Sequence, residues 1–102
     1  MIADLARHHG ALVALCRRHG VTRLDVFGSA AGDGFDAERS DVDFLVDLDP
    51  PAGVSRFDAY FGLKGELESL LRRPVDLVVP GALVNPYVAA DVERTRTPVY
   101  AA

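Results

Sequence analysis

Residues 40–48 read Ser40-Asp41-Val42-Asp43-Phe44-Leu45-Val46-Asp47-Leu48. Val42, Phe44, Val46 and Leu48 alternate with Asp41, Asp43, Leu45 and Asp47, the period of two that a pleated strand imposes when one face is buried. The same period sends the carboxylates of Asp41 and Asp43 to one side, about 6.5–7 Å apart at Cα. Two carboxylates on one face can bracket a hard divalent cation, which takes oxygen ligands. The alternative is the polar face of a half-exposed strand, and Asp-x-Asp alone does not decide between them.

Upstream, Arg23-Leu24-Asp25-Val26-Phe27 is short and β-prone and stops at Gly28-Ser29. A glycine after a strand lets backbone approach a ligand, and free N–H groups at such a turn favour an anion such as phosphate. Downstream, residues 75–79 form a third strand, Val-Asp-Leu-Val-Val, closed by Pro80-Gly81. Asp76 sits inside that apolar run, where a charge is costly unless paired or metal-bound, or else the position faces solvent. A phosphate turn, a two-carboxylate platform and a third carboxylate from another strand suit two-metal phosphoryl or nucleotidyl transfer.

Helices fill the rest. Ile2, Leu5, His9, Leu12, Val13 and Cys16 recur at helical spacing, predicting an amphipathic helix over residues 2–19 that Gly20 stops, with His9 packed in its core-facing stripe. Ser55-Arg56-Phe57-Asp58 reads as a capping box opening a helix with Phe57, Tyr60, Phe61, Leu67, Leu70 and Leu71 inward. Arg72 and Arg73 suit its C-terminal end, and Pro74 stops it. Asn85-Pro86 predicts an N-cap with proline at the first helical position, a helix over 86–95, then a short tail over 97–102. The expected architecture is a small α/β domain over residues 1–102, its mixed and mostly three-stranded sheet flanked by helices.

Composition narrows the function classes. The chain has 102 residues, 49% hydrophobic, with a net charge of −4; that is one marginal domain, too apolar for disorder, and a homodimer or a complex would support its core. Between Asp33 and Asp49 seven acidic residues stand against Arg39 alone, a block that repels nucleic acid unless divalent cations intervene. No apolar run reaches the ~18 residues of a membrane span, and Asp4, Arg7, His8 and His9 interrupt any signal-peptide core. The lone Cys16 leaves neither a disulfide framework nor a CxxC zinc site. A cytoplasmic protein is expected.

Gly28-Ser29, Ser40-Asp41-Val42-Asp43-Phe44-Leu45-Val46 and Val75-Asp76-Leu77-Val78 together resemble the DNA polymerase β-like nucleotidyltransferase superfamily. Within it the chain is similar to the minimal nucleotidyltransferases (MNT), the antitoxin halves of HEPN–MNT toxin–antitoxin pairs. The resemblance runs from Leu24 to Val79 and on through Asn85-Pro86-Tyr87. It implies a polymerase β-like fold, with Gly28, Ser29 and Ser40 holding the phosphates of ATP. It further implies Asp41 and Asp43 binding Mg²⁺, and Asp76 binding metal or acting as general base. The activity it implies is transfer of AMP from ATP to a tyrosine of a HEPN ribonuclease toxin; the alternative is a catalytically decayed antitoxin that neutralises the toxin by contact. Transfer onto a small molecule needs an acceptor domain for which 102 residues leave no room. Two departures stand out: Gly32 occupies the position where many members carry Arg, and the gap from Ser29 to Asp41 is one residue longer.

Overall fold

The computed structural model describes residues 3–32 and 41–102. Helices α1 (Ala3–Arg7) and α2 (His9–Arg18) lead into strand β1 (Val21–Phe27), which ends in a single 3-10 turn over Gly28–Ala31. Strand β2 (Val42–Leu48), helix α3 (Arg56–Leu71), strand β3 (Val75–Val78), a second 3-10 turn (Pro80–Ala82), helix α4 (Pro86–Thr95) and strand β4 (Thr97–Ala101) follow. The sheet order is β3-β2-β1-β4, with β1 antiparallel to β2 and β4 and β2 parallel to β3.

The alternation in β2 sorts its side chains as expected. Val42, Phe44 and Val46 are fully buried on the face covered by α2 and α3. Leu45 turns to the other face, where it meets Phe27 and Val92 of α4. The expected caps form: Ser55 Oγ accepts from the Asp58 amide at 3.0 Å, and Asn85 Oδ1 accepts from Tyr87 and Val88. Gly20 ends α2 at φ +72° with its own carbonyl accepting from Asp49 N.

Four expectations change. The helix over 2–19 is two helices meeting at His8, because His8-His9-Gly10 is a weak helical run whose glycine costs about 1 kcal/mol relative to Ala. His9 is exposed rather than packed. Phe57 and Phe61 are also exposed; the buried stripe of α3 is Ala59, Leu63, Leu67 and Leu71, spaced by four. The tail is a strand, so the sheet has four strands rather than three. Pro98 lies in β4 at the sheet's margin, where a missing N–H disrupts no ladder.

Side chains of α3 occupy the opposite margin. Tyr60 Oη donates to Leu77 O at 2.5 Å, and the Glu68 carboxylate accepts from Val75 N at 3.2 Å. Outward-facing groups of β3 are thereby taken, which discourages edge-to-edge strand pairing.

Candidate active site

Strand register assembles the carboxylates. Phe27 pairs with Asp43, and Asp43 pairs with Asp76, so the end of β1 and both aspartates stand side by side at the ~4.8 Å spacing of neighbouring strands. Asp43 is half-buried, whereas Asp41 and Asp76 are exposed; the charge inside 75–79 is thus a solvent-facing strand position turned toward Asp43. Ser40 and the acidic residues 33, 36 and 38 lie outside the described residues.

Gly28 is the pivot of the site. Its φ of +70° is a left-handed conformation that costs a side-chain-bearing residue roughly 1–2 kcal/mol. A Cβ placed there would lie 2.8 Å from Asp43 Oδ2 and 3.9 Å from Asp91 Oδ2. The chain thus brings the Gly28-Ser29 turn against the Asp43 carboxylate.

Asp91 on α4 is a fourth carboxylate of this cluster. Burial pushes the Asp43 carboxyl up to about 6, with the charges of Asp76, Asp41 and Asp91 adding to the effect. Asp91 also pairs with Arg94 at 2.5 Å. The predicted helix over 86–95 contains Asp91, but no local pattern says which neighbour it faces; only its position beside the buried Val92 hints at the sheet.

The same face buries Asp25 completely. Arg96 donates to it from Nε at 2.9 Å and Nη2 at 2.7 Å, and Arg23 from Nε at 3.2 Å. Hydrogen bonding to Asp25 raises the Arg96 pKa above its ordinary value, and the bond joins residues 71 apart. This pair, absent from the sequence reading, pins the C-terminal end of α4 to β1.

The donor set fits a divalent cation completed by substrate. Crowded carboxylates, one already reluctant to ionise, are the groups whose repulsion a cation relieves. Among the described residues no three or more His, Cys, Asp or Glu side chains form a ready-made cage. Magnesium does not require one, since it is commonly held by one or two carboxylates plus substrate phosphates.

Apolar surface adjoins the carboxylates. A cleft of about 390 Å³ is lined by Val78, Leu83 and Val88 among others, two residues along β3 from Asp76 and one turn of α4 from Asp91. It shares Tyr60 and Val79 with a second cleft of about 600 Å³ that includes Phe57 and Phe61. Exposed Val84 and Tyr87 extend the patch. No helix among the described residues is long and apolar enough to cross a membrane.

Comparison with known proteins shows the family and the fold. Residues 11–98 match the family model described as "Nucleotidyltransferase domain". The chain is 35% identical over 93 residues to the "Putative protein adenylyltransferase MJ0128" of Methanocaldococcus jannaschii, covering 91% of this chain and 89% of that protein. It superposes on a solved "putative minimal nucleotidyltransferase" with a TM-score of 0.70 and 38% identity, covering 92% of this chain and 91% of the other. A chain in the structure of a tri-AMPylated Shewanella oneidensis HEPN toxin in complex with MNT antitoxin matches at a TM-score of 0.61 and 18% identity, covering 96% and 73%. That last likeness is one of fold.

Proposed function

The chain belongs to the nucleotidyltransferase domain family, and from that premise we propose that it is a Mg²⁺-dependent protein adenylyltransferase, an antitoxin that transfers AMP from ATP to a tyrosine of a HEPN-type toxin. The observation that carries the proposal is the register of Asp43 with Asp76 beside the Gly28 turn. Ser29, with Ser40, receives the phosphates at the turn that Gly28 shapes, the Gly28 amide itself being held by Thr95, and Asp41 and Asp43 hold the cation. Bound there, Mg²⁺ supplies charge neutralisation along the triphosphate. Asp76, exposed and adjacent to Asp43, accepts the proton of the acceptor hydroxyl as its oxygen bonds to the α-phosphorus and pyrophosphate leaves.

The apolar patch beside the site supports a protein acceptor. Contiguous exposed apolar surface of this kind marks interaction sites, and a folded partner brings its own structure to such a surface. The acidic cluster argues against nucleic acid as the acceptor.

The test is to incubate the protein with Mg-ATP and a HEPN-type toxin protein and follow the acceptor's mass. A gain of AMP units on tyrosine is expected. Asp76→Asn should keep Mg-ATP affinity within a few-fold while transfer falls about 10²–10⁴-fold, the usual worth of a positioned base. An unmodified acceptor that is nevertheless neutralised would favour contact alone.

Gly32 bears on that second reading, because an arginine on the phosphates is what many relatives of the resembling family have there. Its φ is −119°, and a Cβ would meet nothing within 4 Å, so the backbone accepts a side chain without strain. Gly32→Arg is expected to fold normally and tighten Mg-ATP binding by up to about tenfold, since Arg–phosphate contacts are charge-assisted and can be bidentate. Titration calorimetry of the two proteins measures it.

A further inference from the structure

Thr95, the last residue of α4, reaches 67 positions back along the chain: the Gly28 amide donates to its Oγ1 at 2.8 Å. The Thr95 hydroxyl proton is committed elsewhere, donated to Asp91 O at 2.7 Å. With that proton engaged inside α4, the oxygen's lone pairs are left for Gly28. The next residue, Arg96, is clamped on the buried Asp25. Two consecutive residues therefore fasten α4 to β1, Arg96 at the middle of the strand and Thr95 at its end.

We infer that Thr95 is a positioning residue for nucleotide binding, a strap that sets the Gly28-Ser29 turn against Asp43 and Asp91. This rests on the nucleotidyltransferase reading. Gly28 has its amide on Thr95 and its Cα within a side chain's reach of Asp43 Oδ2, so freeing the amide lets the turn swing relative to the carboxylates. Thr95 acts through the Gly28 amide that it holds. It also follows that the Gly28 N–H is spent within the protein, leaving phosphate contacts to the groups beyond it.

Thr95→Val removes the hydroxyl at nearly constant size, Thr95→Ala is a second truncation without the added methyl, and Thr95→Ser restores the hydroxyl. Two measurements read the strap in the full chain: hydrogen exchange of the Gly28 amide without ligand, and calorimetric Kd for Mg-ATP. In Thr95→Val and Thr95→Ala the Gly28 amide should lose protection and Kd should rise about three- to tenfold, the effect of one hydrogen bond. Thr95→Ser should return both to within about twofold of wild type, a rescue that general loss of packing does not produce. An amide equally protected in Thr95→Val, or one freed with Kd unchanged, overturns the inference. A wild-type chain that binds no Mg-ATP at all overturns the nucleotidyltransferase reading and the inference with it, a failure the ligand-free exchange measurement tells apart from absence of the strap.

Discussion

Asp43→Asn is expected to yield a protein that is more stable and catalytically inert. Burial and three neighbouring carboxylates raise the Asp43 pKa from 3.8 to about 6. A carboxyl with a raised folded-state pKa contributes stability that is fully present below pH 3.8 and is lost as pH rises through about 6. At neutral pH the ionised group is therefore a liability, on the order of 1–2 kcal/mol once solvent screening at this half-buried position is discounted. Asn has the same shape without the charge, so at pH 7.5 and without metal its Tm should exceed wild type by roughly 5–10 °C, with the gap closing by pH 4. Mg²⁺ should raise the wild-type Tm, further with ATP, by binding only the folded state; in Asp43→Asn that increment should vanish and transfer should fall about 10²–10⁴-fold. A mutant that melts below wild type at neutral pH overturns the charge penalty, and one that keeps its Mg²⁺ increment places the cation elsewhere.

Gly28→Ala should lose both stability and activity. A residue with a Cβ at φ +70° costs roughly 1–2 kcal/mol of backbone strain. The new methyl carbon would also lie 2.8 Å from Asp43 Oδ2. What yields to it is the end of a side chain, so the clash costs little in folding and moves the carboxylate that the site depends on. Displacement of a reacting group by about 1 Å can cost on the order of 10²-fold in rate, and at least that loss of transfer is expected. Thermal melting and acceptor mass measured together check it. Gly32→Ala is the control: its φ of −119° and open surroundings predict a change in Tm too small to notice. Near wild-type transfer by Gly28→Ala would show that the turn does not meet Asp43 during the reaction.

The two substitutions separate what the acidic site costs from what it does. Asp43 is held against its own charge preference by a strand whose core-facing residues Val42, Phe44 and Val46 are apolar and fully buried. Among the described residues no cation is paired with Asp43, whereas the buried Asp25 is paired with Arg96. Strain kept at one carboxylate and relieved by a ligand is the usual sign of a functional group.

Much of this was written locally. Period-two alternation in residues 41–48, the Ser55 and Asn85 caps and the Gly28 turn each follow from a few adjacent residues, because strand faces, capping and left-handed backbone are decided within one or two turns of chain. Asp41, Asp43 and Asp76 were legible for the same reason, as carboxylates at fixed places in short strands. The inward face of α3 was misread at Phe57 and Phe61, since aromatic character alone does not tell core from an exposed patch beside the site.

Other features exist only because distant segments meet. Strand β4 is recognisable by its pairing with β1, not by its five residues, one of them proline. Asp91 becomes part of the site, and Thr95 its strap, only when α4 lies across Phe27 and Leu45. The Asp25–Arg96 pair joins residues 71 apart, and neither partner carries a local pattern. The sequence by itself determined the elements and the carboxylates they carry, through interactions spanning a few residues; the tertiary structure alone decided what stands opposite them, because charge repulsion, burial and long-range hydrogen bonds act through distance in space rather than along the chain.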